Sequence, residues 1–316
     1  MTRRVRLALV ALVIALLAAT VSRIDLGAVA QSLARMSWRW ALAAAAVNLL
    51  GVAIDAARWR IVVSAITPVS FFTACYALLV GIAGNVVFPF KLGEGARAYV
   101  LAARTGLLGA TALTTVLLDR VIDVATLPLF VTLASVLLPL PDSIVRYRPW
   151  MIAIGIASVV AAAAGRLWIR RRQRDPGRVQ PPPVIDRIAD GLRLLDHHHR
   201  LAAAVGVALC SWASRAAIVW CMFQAFGLRL PVSAAVGTLA MINLGIAVVA
   251  MPGNLGTFEL VTAGALALWG VSPADGLSLG VAMHALEIVP PALLGAAAVT
   301  SDRGKLARSS GRGSAW

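Results

Sequence analysis

Charge is scarce in this chain. Asp, Glu, Lys and Arg make up 14% of its 316 residues against 60% apolar, with a mean hydropathy of +0.84, which excludes a soluble domain with an ordinary solvated surface. Carboxylates are the scarcest of these: 14 Asp and Glu against 29 Lys and Arg, for a net charge of +15. The basic residues gather in a few connecting stretches, and in a membrane protein that reports orientation before any affinity for nucleic acid. No nucleic-acid partner is expected. Only three cysteines occur, Cys75, Cys210 and Cys221, all in apolar segments without CxxC or Cys/His spacing, so neither a disulfide framework nor a zinc site is suggested. They read as packing residues, and neither a metal nor a cofactor is expected.

What the chain has instead is long apolar runs, at roughly 5–22, 40–57, 71–90, 108–140, 149–169, 201–226, 232–251, 257–270 and 277–299, against a spanning length of ~20 residues. The fold class is therefore all-α, a polytopic integral membrane bundle. Trp40 and Trp59 bracket the second run and Trp150 and Trp168 the fifth, as interface anchors do. The basic start of the first run fits a signal peptide or a first spanning helix, and its length, Leu7 to Ser22, favours the retained helix.

Four regions follow: an N-terminal membrane half (1–165), a basic linker (166–200), a C-terminal membrane half (201–300) and a basic tail (301–316) expected to be disordered. The linker holds nine arginines and a Pro-rich break, which assigns it to the cytoplasm. Within it Val184, Ile185, Ile188, Leu192 and Leu195 recur at helical spacing, predicting a short amphipathic helix on the membrane. The run His197 to His199 reads as a solvated interfacial turn rather than a metal site.

If the N-terminus and linker are both cytoplasmic, the first half crosses an even number of times, yet it holds five candidate runs. Residues 84–97, "GNVVFPFKLGEGAR", mark the one that does not cross. Its glycines and proline interrupt the run, and irregular backbone at membrane depth survives only inside protein. With 71–97 entering from the cytoplasm and returning, 21 of the 29 basic residues are cytoplasmic, six are external, and Arg120 and Arg215 lie within spans. The second half repeats the device at 242–260, "INLGIAVVAMPGNLGTFEL": Asn85, Pro89, Gly93 and Glu94 are matched by Asn243, Pro252, Gly256 and Glu259. Because 40–57 runs inward and 201–226 outward, the halves would form an inverted repeat with two broken, re-entrant elements, the arrangement that builds transporter sites near the midplane.

Ionisable groups within spans need a partner or a task. Thr111, Thr115, Asp119 and Asp123 recur every four residues with Thr126 close by, a hydroxyl and carboxylate stripe on one helix face. Arg120 adjoins it, either to pair with an aspartate and hold the bundle or to bind a headgroup. In the first break, exposed backbone N–H groups, a helix N-terminus, Lys91 and Arg97 describe an anion site suited to phosphate. Glu94 pairs with Arg97 or titrates. Glu259 has no basic neighbour in sequence. His284 and Glu287 share a face before Pro290 and Pro291, and Arg215, one turn after Ser211, is either a headgroup contact or the partner of Glu259 or Glu287. Asp55 and Arg58 read as a local interfacial pair.

The series "GNVVFPFKLGEGARAYVLAARTG", "TTVLLDRVIDVATL" and "MPGNLGTFE" resembles the motifs of the flippase-like membrane family that includes the transmembrane region of lysylphosphatidylglycerol synthases. The resemblance runs from about Arg58 to the last helix. It implies a polytopic bacterial or archaeal inner-membrane protein that moves or handles amphipathic lipids. It also marks Asn85, Pro89, Gly93, Glu94, Arg97, Arg120, Asp123, Pro252, Gly253, Gly256 and Glu259 as motif positions. Three positions depart from that pattern: Asp119 where Glu is frequent, Lys91 where Arg is usual, and Asn254 within what is often a Gly-Gly pair. No acyltransferase-like domain follows the membrane region, so aminoacyl transfer is not expected.

The leading expectation is a transporter or flippase for an anionic, phosphate-bearing lipid or lipid-linked intermediate, not an enzyme. Lys91, Arg97, Arg120 and Arg215 would contact the headgroup, with Glu94, Asp123 and Glu259 as switching or proton-linked groups. Two alternatives stand beside it. One is a scaffold that recruits lipid-biosynthesis enzymes through the linker. The other is a membrane glycosyltransferase, disfavoured because external stretches 23–39 and 141–148 offer only Asp25 and Asp142 as bases.

Overall fold

A computed structural model describes residues 26–87, 92–139, 146, 148–173, 190–248 and 254–310. These form α1 (Leu26–Ala34), α2 (Trp38–Val63), α3 (Phe71–Val87), α4 (Gly93–Thr105), α5 (Gly109–Leu137), α6 (Arg148–Gln173), a 3-10 turn (Arg193–Asp196), α7 (His198–Ala225), α8 (Val232–Val248), α9 (Thr257–Ala267) and α10 (Pro273–Ser310). There is no strand among the described residues. Helices satisfy their own backbone, which is what hydrocarbon surroundings demand. Four of them, α2, α5, α7 and Pro273–Thr300 of α10, are long and apolar enough to cross a membrane. Their outer faces carry exposed Leu50, Leu133, Leu137 and Leu293, a surface water would not tolerate.

Two units of four helices share one length pattern. In the first, α2 to α5 measure 26, 17, 13 and 29 residues; in the second, α7 to α10 measure 28, 17, 11 and 38. The leading helices of the units run antiparallel along each other. Ser37 N–H donates to Ala225 O at one end, Ser211 Oγ to Asp55 in the middle, and Arg200 to Ser64 O at the other end. Each unit's last helix also packs on the other unit, α10 against α3 and α5 against α8.

The sequence accounts for the joints. Within the first unit, α3 and α4 meet backbone to backbone because glycines line the seam: a Cβ on Gly93 would lie 2.0 Å from Gly81 O, and one on Gly84 2.9 Å from the Gly93 Cα. In α10, Pro290 and Pro291 leave the carbonyls of Leu286 and Glu287 without helical donors. Asn48 Nδ2 on α2 supplies them, at 2.8 and 3.4 Å, so a buried amide stitches a kink-prone helix to its neighbour.

Several expectations are corrected. The stretch 23–39, expected to be an external loop, contains α1, whose Ser32 Oγ donates to Asp275 Oδ1 at the start of α10, 2.9 Å. Leu192 and Leu195, expected on the membrane surface, instead pack with buried Leu194 against Trp59, Val62 and Ala204, and Arg166 pairs with Asp196 to fix that end. The remainder of the amphipathic stretch lies outside the described residues, as does the first apolar run. His198 and His199 open α7. The tail is helical to Ser310. Trp59 is no interface anchor: it is fully buried, because α2 continues to Val63 and carries it into the bundle.

Candidate functional site

The polar stripe of α5 faces inward, with Thr111, Thr115, Asp119, Asp123 and Thr126 all buried. Its carboxylates meet arginines from three other helices. Arg58 of α2 donates from Nε to Asp119 Oδ1 at 2.9 Å and from Nη1 to Asp123 Oδ1 at 2.5 Å. Arg97 of α4 reaches the other oxygen of Asp119 at 3.0 Å and stacks on the Trp59 ring at 3.8 Å, while Trp59 Nε1 donates to Thr115 Oγ1 at 3.3 Å. Arg215 of α7 donates to Asp55 Oδ2 at 2.9 Å, where Ser211 holds the other oxygen at 2.6 Å, and lies 3.7 Å from Asp123. On the far side Arg120 forks onto Glu94 and reaches Asp123 Oδ2 at 3.4 Å.

Four guanidinium groups thus face four carboxylates, Asp55, Glu94, Asp119 and Asp123, and the cluster sums to zero. Isolated charges at this depth would each cost several kcal/mol, whereas a closed network offsets most of that. Accessibility is uneven. Arg58 and Arg97 have 1–2% of their side-chain surface exposed, Arg215 26% and Arg120 45%. Beside the first break, Asn85 Oδ1, Glu94 Oε2 and Arg97 Nε are buried without a hydrogen-bond partner, so the α3–α4 seam retains polar capacity that the protein does not use.

Glu94, Arg97, Asp119, Arg120, Asp123 and Arg215 therefore converge, with Asn85 and Gly93 at the same seam. Lys91, Pro89, Pro252 and Gly253 lie outside the described residues. Gly256 and Glu259 form a separate group: Glu259 Oε2 accepts the Gly256 N–H at 2.7 Å, and Oε1 sits 2.7 Å from His284 Nδ1. Three readings are corrected. Arg215 pairs with Asp55 rather than with Glu259 or Glu287. His284 pairs with Glu259, its neighbour in space, rather than joining Glu287 on its own helix. Asp55 and Arg58 do lie 3.6 Å apart, but inside the bundle rather than at the interface, since Arg58 is the buried hub of the cluster. Sequence reasoning missed it by ending the apolar run at residue 57; the signal was the Trp immediately after the Arg, a residue pair that a frayed helix end would not bury.

Asn254 adopts φ 55° and Gly256 φ 79°. Asn is among the few side chains that enter the left-handed region readily, so replacing glycine at Asn254 preserves the turn that precedes α9.

Compared with known families, residues 5–295 match the one described as lysylphosphatidylglycerol synthase TM region. The chain belongs to that family. No curated protein matches it. The lysylphosphatidylglycerol synthase TM region is a membrane domain linked to lipid and envelope biosynthesis or flipping rather than a catalytic domain, and in this member the ion cluster spans the family-matched segment from Asp55 to Arg215. Among the described residues no group of three or more His, Cys, Asp or Glu is placed to hold a metal ion.

Proposed function

We propose that the protein transports a phosphate-bearing lipid or lipid-linked intermediate across a bacterial or archaeal cytoplasmic membrane, with N-terminus, linker and C-terminus on the cytoplasmic side. The observation that carries this reading is the four-arginine, four-carboxylate cluster, six of whose charges lie on helices long enough to span and two, Glu94 and Arg97, at the start of the short α4. A static bundle of this size is held more cheaply by apolar packing, so a buried network of eight charges points to a task.

Function follows from partner exchange. A phosphate entering at Arg120 and Arg215, the two arginines that keep exposure, competes with Glu94 and Asp55 for the same guanidinium donors, and bidentate Arg–phosphate geometry matches what it displaces. Loss of a carboxylate partner loosens α4 from α5 and α2 from α7, the contacts joining the first break to the core. Antiparallel leading helices and matched unit lengths support an inverted repeat, in which two re-entrant elements would expose the headgroup alternately to either side.

The test is mass spectrometry of co-purifying lipid together with lipid translocation in proteoliposomes. Wild type should carry an enriched phosphate-bearing lipid, and Arg120→Ala with Arg215→Ala should lose both the enrichment and about 90% or more of translocation, as expected when charge-assisted contacts worth about 1.5–3 kcal/mol each are removed. Equal bulk lipid on both proteins with unchanged translocation overturns the assignment. Recruitment of lipid-biosynthesis enzymes would then be the reading to examine.

A further inference from the structure

The two units place an acid and a base at corresponding positions but choose different bases. In the first, Glu94 in the opening turn of α4 meets Arg120, eleven residues into α5 (109 to 120). In the second, Glu259 in the opening turn of α9 meets His284, eleven residues into α10 (273 to 284). Arginine stays charged at every physiological pH, whereas histidine is the side chain that gains and loses its proton near neutrality.

The second pair is built to sense that proton. His284 is buried, stacked on Phe258 with ring centroids 4.5 Å apart and 14° between planes, so its imidazole is fixed in orientation. Glu259 is held at both oxygens, one by His284 Nδ1 and the other by the N–H of Gly256. The residue that reads the histidine therefore also closes the turn at the second break. The other charged groups linked to the pair are Glu287 on α10, which acts electrostatically on His284, and Arg215 on α7, which acts on Glu287. Asn48 of α2 binds the carbonyls of Leu286 and Glu287.

We infer that Glu259 and His284 form the binding site for a coupling proton, which tightens or loosens the second broken element and so links lipid movement to the pH difference across the membrane. With the proton bound, imidazolium and carboxylate make a charge-assisted contact that clamps α9 and its turn to α10. Without it, a neutral imidazole donates the same bond more weakly. In the first unit the corresponding clamp is permanently charged and does not respond. The inference rests on the transport reading for its purpose, but the site stands on its own geometry.

Amide hydrogen exchange of residues 254–262 in the purified full chain, corrected for intrinsic pH dependence, tests the site without any lipid substrate. Between pH 8 and pH 6 wild type should become roughly fivefold more protected. His284→Arg, which copies the first unit, should be protected at both values, and Glu259→Gln at neither. His284→Asn serves as a folding control and should show no pH step. An identical pH step in wild type and His284→Arg overturns the proton site. In proteoliposomes, wild type should translocate lipid severalfold faster under an imposed pH gradient, and His284→Arg should ignore it. Translocation by wild type without gradient dependence overturns the coupling and leaves the transport reading standing. A pH step in exchange with no translocation at all overturns the transport reading and leaves the proton site standing.

Discussion

The two units of this bundle solve one problem in two ways. Each must attach a short helix following a break to the long helix after it, and each uses a carboxylate in the short helix's first turn. The first unit attaches it with arginine and extends the contact into a network of eight charges. The second uses one histidine and a backbone N–H. A network of permanent charges is rearranged only by another ion of comparable strength, while a single histidine bond is altered by one proton. The first unit is therefore suited to recognising an anionic headgroup and the second to responding to conditions.

The sharpest way to break this comparison is to remove the central acid of each unit. Asp119→Ala takes from Arg97 its hydrogen-bonded carboxylate and from Arg58 one of two, both guanidinium groups being almost fully buried, and should cost about 3–5 kcal/mol. Glu259→Gln leaves a histidine free to be neutral and an amide able to keep one bond, and should cost about 1 kcal/mol. Denaturant titration in mild detergent measures both; equal losses would mean that the units are held alike.

A smaller contrast concerns the helix seams. A Cβ at Gly93 collides with the carbonyl oxygen of Gly81, whereas one at Gly245 in α8 meets only the side chain of Val261, 2.5 Å from Cγ2. Backbone cannot turn aside and a valine rotamer can, so Gly93→Ala should destabilise by about 3 kcal/mol and Gly245→Ala by about 1 kcal/mol. Thermal unfolding in the same detergent ranks them. The smallest stability effect is expected at Arg120→Ala. Its half-exposed side chain should contribute about 1 kcal/mol or less to folding, even though its loss together with that of Arg215 is expected to abolish most translocation, and a large loss of stability instead would make Arg120 a structural residue.

Much of the fold was legible because membrane helices advertise themselves by composition, and the breaks at 84–97 and 242–260 by their Gly and Pro. The inward stripe from Thr111 to Thr126 was legible from its four-residue spacing. The partners of that stripe were not, because pairing between α2, α4, α5 and α7 depends on how helices far apart in sequence come to lie together. Arg58 and His284 show the cost: each was assigned only a neighbour on its own helix, while the structure adds Asp119 and Asp123 of α5 to the first and gives the second Glu259 of α9. Leu192 and Leu195 were misplaced for a related reason, since an apolar periodicity does not distinguish a lipid surface from a protein groove.

One further consequence lies in the Asp55–Arg215 pair. These residues stand equally far into their helices (38 to 55 and 198 to 215), and those helices lie antiparallel against each other. Where two identical copies meet across a twofold axis, residues lying on the axis face their own equivalents, so a half self-paired at this position would confront aspartate with aspartate or arginine with arginine. Opposite charges can face each other there only where the two halves differ in sequence. The Asp55–Arg215 bond therefore joins unlike halves: neither half presents at this position a surface that could pair with a copy of itself.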